Sequence, residues 1–399
     1  MPYTLLLDLD DTLLDTNLES FLPAYYGALA RHLSPLVEPN LMLDALKTGV
    51  RAMHLNRDPL LTLQKVFEAV FYPALPRDRL ALEESIWTFY REVFPTLKDS
   101  THPREGVPEM VEWAASRGHR LAVATDPVLP LVANLERLRW AGLDPQAFQL
   151  VTSFETFHFT KSHAAFFAET AGRLGWPEGP ILMAGDHVER DLVPAESLGF
   201  AVFHVTGDGT AGDRSSGGTA DLRRWIEARE SDADPAFGRT RDGALAMLEA
   251  TPAVLQTLTA GLSAAEWAHE PSADDWAIIE LVCHLRDTER EVHALQVTAL
   301  LESESPFVAR PDAAVWAKQR RYLDEDGRRA IKDLAEARLA NLDRLRAAPA
   351  EAWAKPARHA IFGPTTFQEV VGFMAEHDRL HIQQAWRTLY GENQAAHPN

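Results

Sequence analysis

Cysteine is nearly absent. The single thiol in 399 residues, Cys283, excludes an intramolecular disulfide framework and any zinc site built from several cysteines. No apolar run reaches the about 18 residues that a membrane-spanning helix needs, so no membrane partner is expected. Positive charge is also scarce: 39 Lys and Arg stand against 58 Asp and Glu, for a net charge of −19. With no basic patch to offset that repulsion, nucleic acid is not an expected partner either. The chain enters Tyr3-Thr4-Leu5-Leu6-Leu7 with no basic region or cleavage site before it, so no secretory signal is expected and the location reads as cytoplasmic. The remaining proportions, 46% hydrophobic and 24% charged, are those of a packed globular chain. Its length suggests two or three domains at about 100–200 residues each.

The residues that are present fall into two stretches of different periodicity. Up to about residue 230, short apolar runs alternate with helical patterns: Thr4 to Leu7, Leu121 to Ala124, Ile181 to Ala184 and Ala201 to Val205. Runs this short and this continuously apolar predict strands buried on both faces of a parallel sheet. Gly118 stands where a helix ending in Ser116-Arg117 calls for a C-terminal glycine. The alternation predicts a doubly wound α/β domain. The first interval is too long for a simple crossover. From Thr16 to about Asp99, Leu18, Phe21, Leu22, Tyr25, Leu29 and Leu33 recur at helical spacing. They predict an all-helical insertion over about 16–99, above the carboxyl ends of the strands, where open α/β sheets bind ligands. The segment 207–218 reads as a surface loop, Ala220 to Glu230 as a short closing helix and Ser231 to Pro235 as a linker. Beyond the linker no strand signal appears. Helical patterns near 240–261, 276–303, 325–347 and 365–390 predict an antiparallel four-helix bundle. The expected division is 1–232 for the α/β domain and 236–392 for the all-α domain.

Asp8-Leu9-Asp10-Asp11-Thr12-Leu13 follows the first strand directly. In an extended chain residues two apart point the same way, so Asp8 and Asp10 can both reach the space above the sheet. Crowded carboxylates repel unless a cation or a shared proton compensates them, and Mg²⁺, which takes oxygen ligands, would do so. The bland alternative is a strand end with acidic turn residues. Three further features favour the functional reading: Thr125, followed by Asp126, ends the second run, Lys161 follows the 149–152 segment, and Gly185-Asp186 closes the fourth strand with Asp191 five residues on. Each polar group falls at the C-terminal end of a strand or in the loop after it.

These pieces, DLDDT at 8–12, VATD at 123–126, Lys161 and GDHVERD at 185–191, resemble the haloacid dehalogenase superfamily over nearly all of residues 1–230. The resemblance implies a sheet ordered 5-4-1-2-3 with the helical insertion as its cap. It implies Asp8 as nucleophile toward phosphorus and Asp10 as the acid that protonates the leaving oxygen, then as the base for water. Thr125 and Lys161 would hold phosphate oxygens. Asp8, the Asp10 carbonyl and Asp186 would hold Mg²⁺, and Asp191 would orient Lys161 or a metal-bound water. The superfamily's metal-free dehalogenases lack the second aspartate of the first motif. Asp10 and the Asp186/Asp191 pair therefore point to phosphoryl chemistry on a small phosphorylated metabolite. Two departures stand out: Ser162 follows Lys161 in place of the usual proline, and Asp126 stands where asparagine is common, adding negative charge unless it turns away or pairs.

His377 and His381 form an HxxxH pair. Four helical residues turn about 400°, so both imidazoles share a face about 6 Å apart along the axis. A solvated or merely packed pair is the alternative. His284, flanked by Leu281, Val282 and Leu285, reads either as a third ligand or as a buried neutral histidine bonded to a carboxylate. The Trp276-to-His284 spacing, Asp287, Glu289 and the late HxxxH resemble the DinB-like (YfiT-type) bundles over roughly 238–391. That resemblance implies a divalent metal on His284, His377 and His381 with open positions, Zn²⁺ or Ni²⁺ suiting three imidazoles. Cys283 lies about 100° from His284 and reads as a core residue, Trp276 as packing. His293, nine residues past His284, should fall on the opposite side of the helix.

The leading expectation is a Mg²⁺-dependent phosphatase fused to a metal-binding bundle. One alternative places a metal- and thiol-dependent transferase or isomerase activity in the bundle, with a low-molecular-weight thiol as partner. Another makes the bundle an oligomerisation module, giving a homodimer. In the cap, Arg51, His54 and Arg57 could reach an anionic substrate, although solvated helix positions are the simpler account.

Overall fold

The computed structural model describes residues 1–206, 215–229, 236–272, 275–309, 311, 313 and 315–391. The expected linker 231–235 and most of the expected loop 207–218 lie outside the described residues. Strand β1 (Thr4–Leu7) is wholly buried, and β2 (Leu14–Asp15) leads into the insertion. Four cap helices follow: α1 (Leu18–Leu33), α2 (Pro39–Leu55), α3 (Leu63–Phe71) and α4 (Arg79–Thr88). Their N-termini are set by Asn17, Glu38, Thr62 and Asp78, whose side chains each accept a first-turn backbone N–H. The chain leaves the cap through β3 (His102–Pro103), antiparallel to β2, so a two-stranded stalk roots the insertion.

After α5 (Val107–Ser116), Gly118 adopts a left-handed φ of 78° and turns the chain into β4 (Arg120–Val123), as its position predicts. The alternation continues through α6 (Leu131–Trp140), β5 (Leu150–Val151), α7 (Ala164–Arg173), β6 (Ile181–Gly185), α8 (Val193–Ser197), β7 (Ala201–Val205), β8 (Ser216–Gly217) and α9 (Thr219–Glu227). All pairings in the large sheet are parallel, in the order β5-β4-β1-β6-β7-β8. Read from the other edge, its five expected strands run 5-4-1-2-3, with β8 added outside the fifth.

The second half begins with α10 (Arg241–Leu258) and the short α11 (Ala264–Trp267). Helix α12 (Ile278–Thr288) passes through a π turn at Glu289–His293 into α13 (Ala294–Glu302). Strand β9 (Phe307–Val308), α14 (Trp316–Gln319), α15 (Gly327–Ala347), β10 (Pro356–His359), β11 (Gly363–Thr366) and α16 (Phe367–Tyr390) complete it. The four long helical paths match the four expected patterns. The three-stranded sheet β11-β10-β9 corrects the expectation that no strand lies here. Strands of two to four residues containing Pro356, Gly363 and Pro364 are too short and too rich in turn residues to show alternation. Among the described residues, no helix is long and apolar enough to cross a membrane.

The halves share one hydrophobic cluster: Phe166, Trp176 and Phe200 pack in it with Leu248, Val254 and Trp386. Helices α7 and α10 approach closely because α7 carries glycine at the crossing. A Cβ on Gly172 would stand 2.6 Å from Val254 Cγ2. Polar ties flank this core: Gln256 binds the His158 ring at 2.7 Å and donates to the cap carbonyl of Leu60 at 3.2 Å. Glu249, 3% exposed, meets Arg57 of the cap at 3.3 Å and Arg346 at 2.7 Å.

Candidate functional site

β1 delivers Asp8 to the carboxyl edge of the sheet, where its backbone N–H donates to Ala184 O of β6 at 2.9 Å. The chain then turns through Asp11, whose left-handed φ of 54° folds the loop back so that Leu13 and Leu14 donate to Leu9 O. Asp8 is 5% exposed. Lys161 Nζ, equally buried, donates to Asp8 Oδ1 and, at 2.8 Å, to Asp191 Oδ1. One oxygen from each of Asp8, Asp186 and Asp191 lies within 4.8 Å of the others. Gly185 makes that approach possible, because a Cβ there would collide with the Asp191 carboxylate. Thr125 is buried at the end of β4, its carbonyl accepting from Thr152 Oγ1 at 2.6 Å. Asp126 is paired: Arg190 Nη2 donates to it at 2.5 Å and the Lys161 backbone at 3.2 Å. The extra negative charge is thus compensated.

Burial, followed by the Asp191 and Asp11 charges, raises the Asp186 pKa above its ordinary value. Burial does the same to Asp8, against the opposing pull of Lys161. Burial works against the Lys161 ammonium too, yet Asp8 and Asp191 hold its pKa up, so it stays charged. A single lysine therefore faces three clustered carboxylates. An oxygen donor set of this crowding fits a divalent cation, which would relieve the repulsion.

Asp10 does not join the acid cluster. Its carboxylate accepts from Arg137 on α6, a side chain 3% exposed that also lies over the Phe21 ring. Nothing in the sequence pointed to Arg137, because a basic residue in the last turn of a helix reads as solvated. His54 sits on the wall of the same cavity, Nδ1 at 3.2 Å from Thr160 Oγ1, whereas Arg57 turns away to Glu249. Arg51 and Arg57 are exposed and lie off the cavity wall, as the simple account of solvated residues has it, and of the three only His54 lines the cavity. The cavity, of about 420 Å³, lies between the acid cluster and the cap.

In the bundle, α12 supplies His284 and α16 supplies His377 and His381. One nitrogen of each lies within 4.8 Å of the others, and the Nε2 atoms of His284 and His377 are 3.2 Å apart. Burial, then the neighbouring His381 and His377, pushes His284 down to about 3. Burial and His377 push His381 down to about 4. Three imidazole nitrogens gathered this closely, with His284 and His381 pushed toward the neutral form, fit a divalent transition metal. Trp276 stacks parallel on His381 at 5.9 Å and packs tilted on His284, consistent with a packing role. Cys283 is buried in the core, and burial pushes its thiol up to about 12.

The π turn changes the expected placing of His293. It contains one residue more per turn than an α-helix, so the phase slips and His293 ends with its ring 5.6 Å from His377. It does not belong to the three-nitrogen cluster. Behind the histidines lies a charge network that sequence reading missed. Arg338 donates to Asp378 at 2.7 Å and lies 2.9 Å from Glu289, which also bonds His293 and Asn341. Burial would raise both acids, but Arg338 outweighs it, holding Asp378 below its ordinary value and Glu289 at about 2. Asp378 Oδ1 stands 3.5 Å from His377 Nδ1.

Comparison with known proteins gives two separate family matches. Residues 4–199 match the haloacid dehalogenase-like hydrolase model and residues 247–385 the DinB superfamily model. Glyceraldehyde 3-phosphate phosphatase from Methanocaldococcus jannaschii is 24% identical over 204 residues, 50% of this chain and 83% of that protein. A HAD phosphatase from Thermococcus onnurineus is 21% identical, covering 57% of this chain and 98% of the other, with a TM-score of 0.37. YfiT from Bacillus subtilis, a four-helix bundle of unusual topology, is 17% identical, covering 40% of this chain and 90% of the other, with a TM-score of 0.35. Residues 4–199 are thus haloacid dehalogenase-like hydrolase in kind and residues 247–385 belong to the DinB superfamily.

Proposed function

We propose that the N-terminal site hydrolyses a small phosphomonoester through a phosphoryl group carried by Asp8. The observation that carries this reading is the buried Asp8–Lys161–Asp191 array beside Asp186, lining a cavity at the carboxyl edge of a parallel sheet. Asp8 attacks phosphorus, and the alcohol leaves as Asp10 donates a proton to its oxygen; Asp10 then takes a proton from the water that attacks the acyl phosphate. Lys161 and Thr125 hold the phosphoryl oxygens, and Asp191 keeps Lys161 in place. Asp8, the Asp10 carbonyl and Asp186 would hold Mg²⁺, which when bound lets an anionic nucleophile meet an anionic ester. The pairing of Arg137 with Asp10 holds that carboxylate in place between cap and floor.

For the second half we propose a divalent transition metal on His284, His377 and His381, zinc or nickel by ligand softness. A thiol-dependent reaction there would need an outside thiol, because Cys283 is sealed in the core. The division into 1–232 and 236–392, the cytoplasmic location and self-association through the bundle remain part of this proposal.

The test is phosphate release from simple phosphomonoesters with and without magnesium, followed by mass spectrometry of the quenched enzyme. A phosphoryl group on the peptide containing Asp8 is the expected result. Magnesium-dependent turnover that survives Asp8→Asn would overturn the nucleophile assignment.

A further inference from the structure

The two ends of the cavity differ in chemistry. Its floor carries the cations, and each already faces a carboxylate: Lys161 on Asp8 and Asp191, Arg137 on Asp10, Arg190 on Asp126. That end suits one dianion. The cap end is a wall of rings and aliphatic side chains, among them Phe21, Tyr26, Phe67, Phe71, Trp87 and Val50. Apart from tyrosine hydroxyls, the polar side chains that the cap adds to the wall are His54, Gln64, Glu68 and Glu83. Arg79 holds both glutamates, at 2.7 Å and 2.6 Å. The Tyr25 and Tyr90 hydroxyls bond each other at 2.7 Å in a buried pair. Among the described residues, no lysine or arginine of the cap lines the cavity.

A polyhydroxylated leaving group would lose its water here and find few partners, and each buried unpaired hydroxyl is costly. A leaving group with a second anionic charge would find, among the described residues that line the cavity, no lysine or arginine that is not already paired with a carboxylate. An apolar leaving group meets neither penalty, and a cavity of about 420 Å³ is of ordinary size for a ligand of that kind. We propose that the substrate is the phosphomonoester of an apolar alcohol, with its alkyl or aryl portion against the cap rings and its phosphate at Lys161. This inference rests on the phosphatase reading above and departs from the triose phosphate named for the M. jannaschii relative.

The test uses the whole protein with magnesium and a series of primary alkyl phosphates: ethyl, butyl, hexyl and 2-phenylethyl. Their leaving oxygens are of similar basicity, so differences report the alcohol's contacts. If the chain is buried, kcat/KM rises by up to about fourfold per methylene, the equivalent of ~0.8 kcal/mol per buried CH₂, mostly through KM. The 2-phenylethyl ester should exceed glyceraldehyde 3-phosphate and phosphoglycolate by about tenfold or more. Trp87, 40% exposed on the cavity wall, tolerates change, and Trp87→Arg should shift the hexyl-to-phosphoglycolate ratio about tenfold toward phosphoglycolate. A flat series, a preference for the polar esters or an unmoved ratio in Trp87→Arg overturns the apolar assignment while leaving the phosphatase reading intact. Failure to hydrolyse any ester overturns that reading, and the inference with it.

Discussion

The acid cluster above the sheet and the histidine cluster in the bundle gather ligands in opposite electrical states. Asp8, Asp186 and Asp191 are acidic groups crowded together in a buried place, where Lys161 bonds two of them. Burial, with His381 and His377 beside His284 and His377 beside His381, pushes both imidazoles toward the neutral form, and the ionic groups stand one layer behind them on Arg338. A hard oxygen site needs a cation to remove repulsion, whereas a nitrogen site of this kind needs protons kept away. The comparison teaches that burial prepares both: it raises carboxylate pKa values, which a cation must oppose, and lowers imidazole pKa values, which favours the ligating form.

The sharpest way to break the comparison is a crossed pair of variants. Asp8→Asn should lower kcat for phosphomonoesters by on the order of 10³-fold or more while leaving the bundle's metal in place. His377→Ala should remove that metal, read by elemental analysis after chelation, and leave hydrolysis within about twofold. If either substitution abolishes both readouts, the two sites are not independent. The next effect in size concerns the supporting charges. Arg338→Met leaves Asp378 and Glu289 buried without their cation, so thermal or denaturant unfolding should show a loss of about 3–5 kcal/mol. A loss below 1 kcal/mol would mean that water reaches those acids.

How much of this was legible in sequence follows from which residues carry periodic or positional signals. The strands were visible because β1 and β6 are buried on both faces and so are apolar without interruption. Asp8, Thr125, Lys161, Asp186 and Asp191 were visible because strand ends lie at fixed places in such a fold, and the structure brings them all to one cavity. Arg137 was not, since its burial depends on Phe21 and Asp10, which arrive from far earlier in the chain. The phase of His293 was lost because a π turn leaves no mark in residue type. The shared core was equally hidden: a helix with apolar residues on several sides, such as α10, shows that it is surrounded but not by what.

Acidity sharpens the contrast further. In metal-stripped protein, His284 and His381 titrate near 3 and 4 when folded but near 6.5 when unfolded. The unfolded chain therefore binds more protons between these values, so their contribution to stability is present above about pH 6.5 and is lost as pH falls. Lowering the pH from 7 to 5 should cost roughly 2 kcal/mol per histidine, measured by denaturant unfolding, and His381→Gln should halve the slope. A stability that rises on acidification would contradict the neutral assignment. The smallest effect tests the seam between the regions. Gly172→Ala places a methyl against Val254 and should destabilise by about 1–3 kcal/mol, with Val254→Ala restoring part of it.

The clasp of Arg57 and Arg346 on Glu249 has a mechanical consequence. The insertion is fastened once by its stalk of β2 and β3 and again, at the far end of α2, to the neighbouring bundle. Further bonds run along the same side of the cap, with Leu63 N–H donating to Phe157 O at 2.7 Å and Gln64 N–H to Phe154 O at 2.8 Å. Glu249 and Gln256 belong to the all-helical half, so the seating of the insertion is shared between the two halves of the chain.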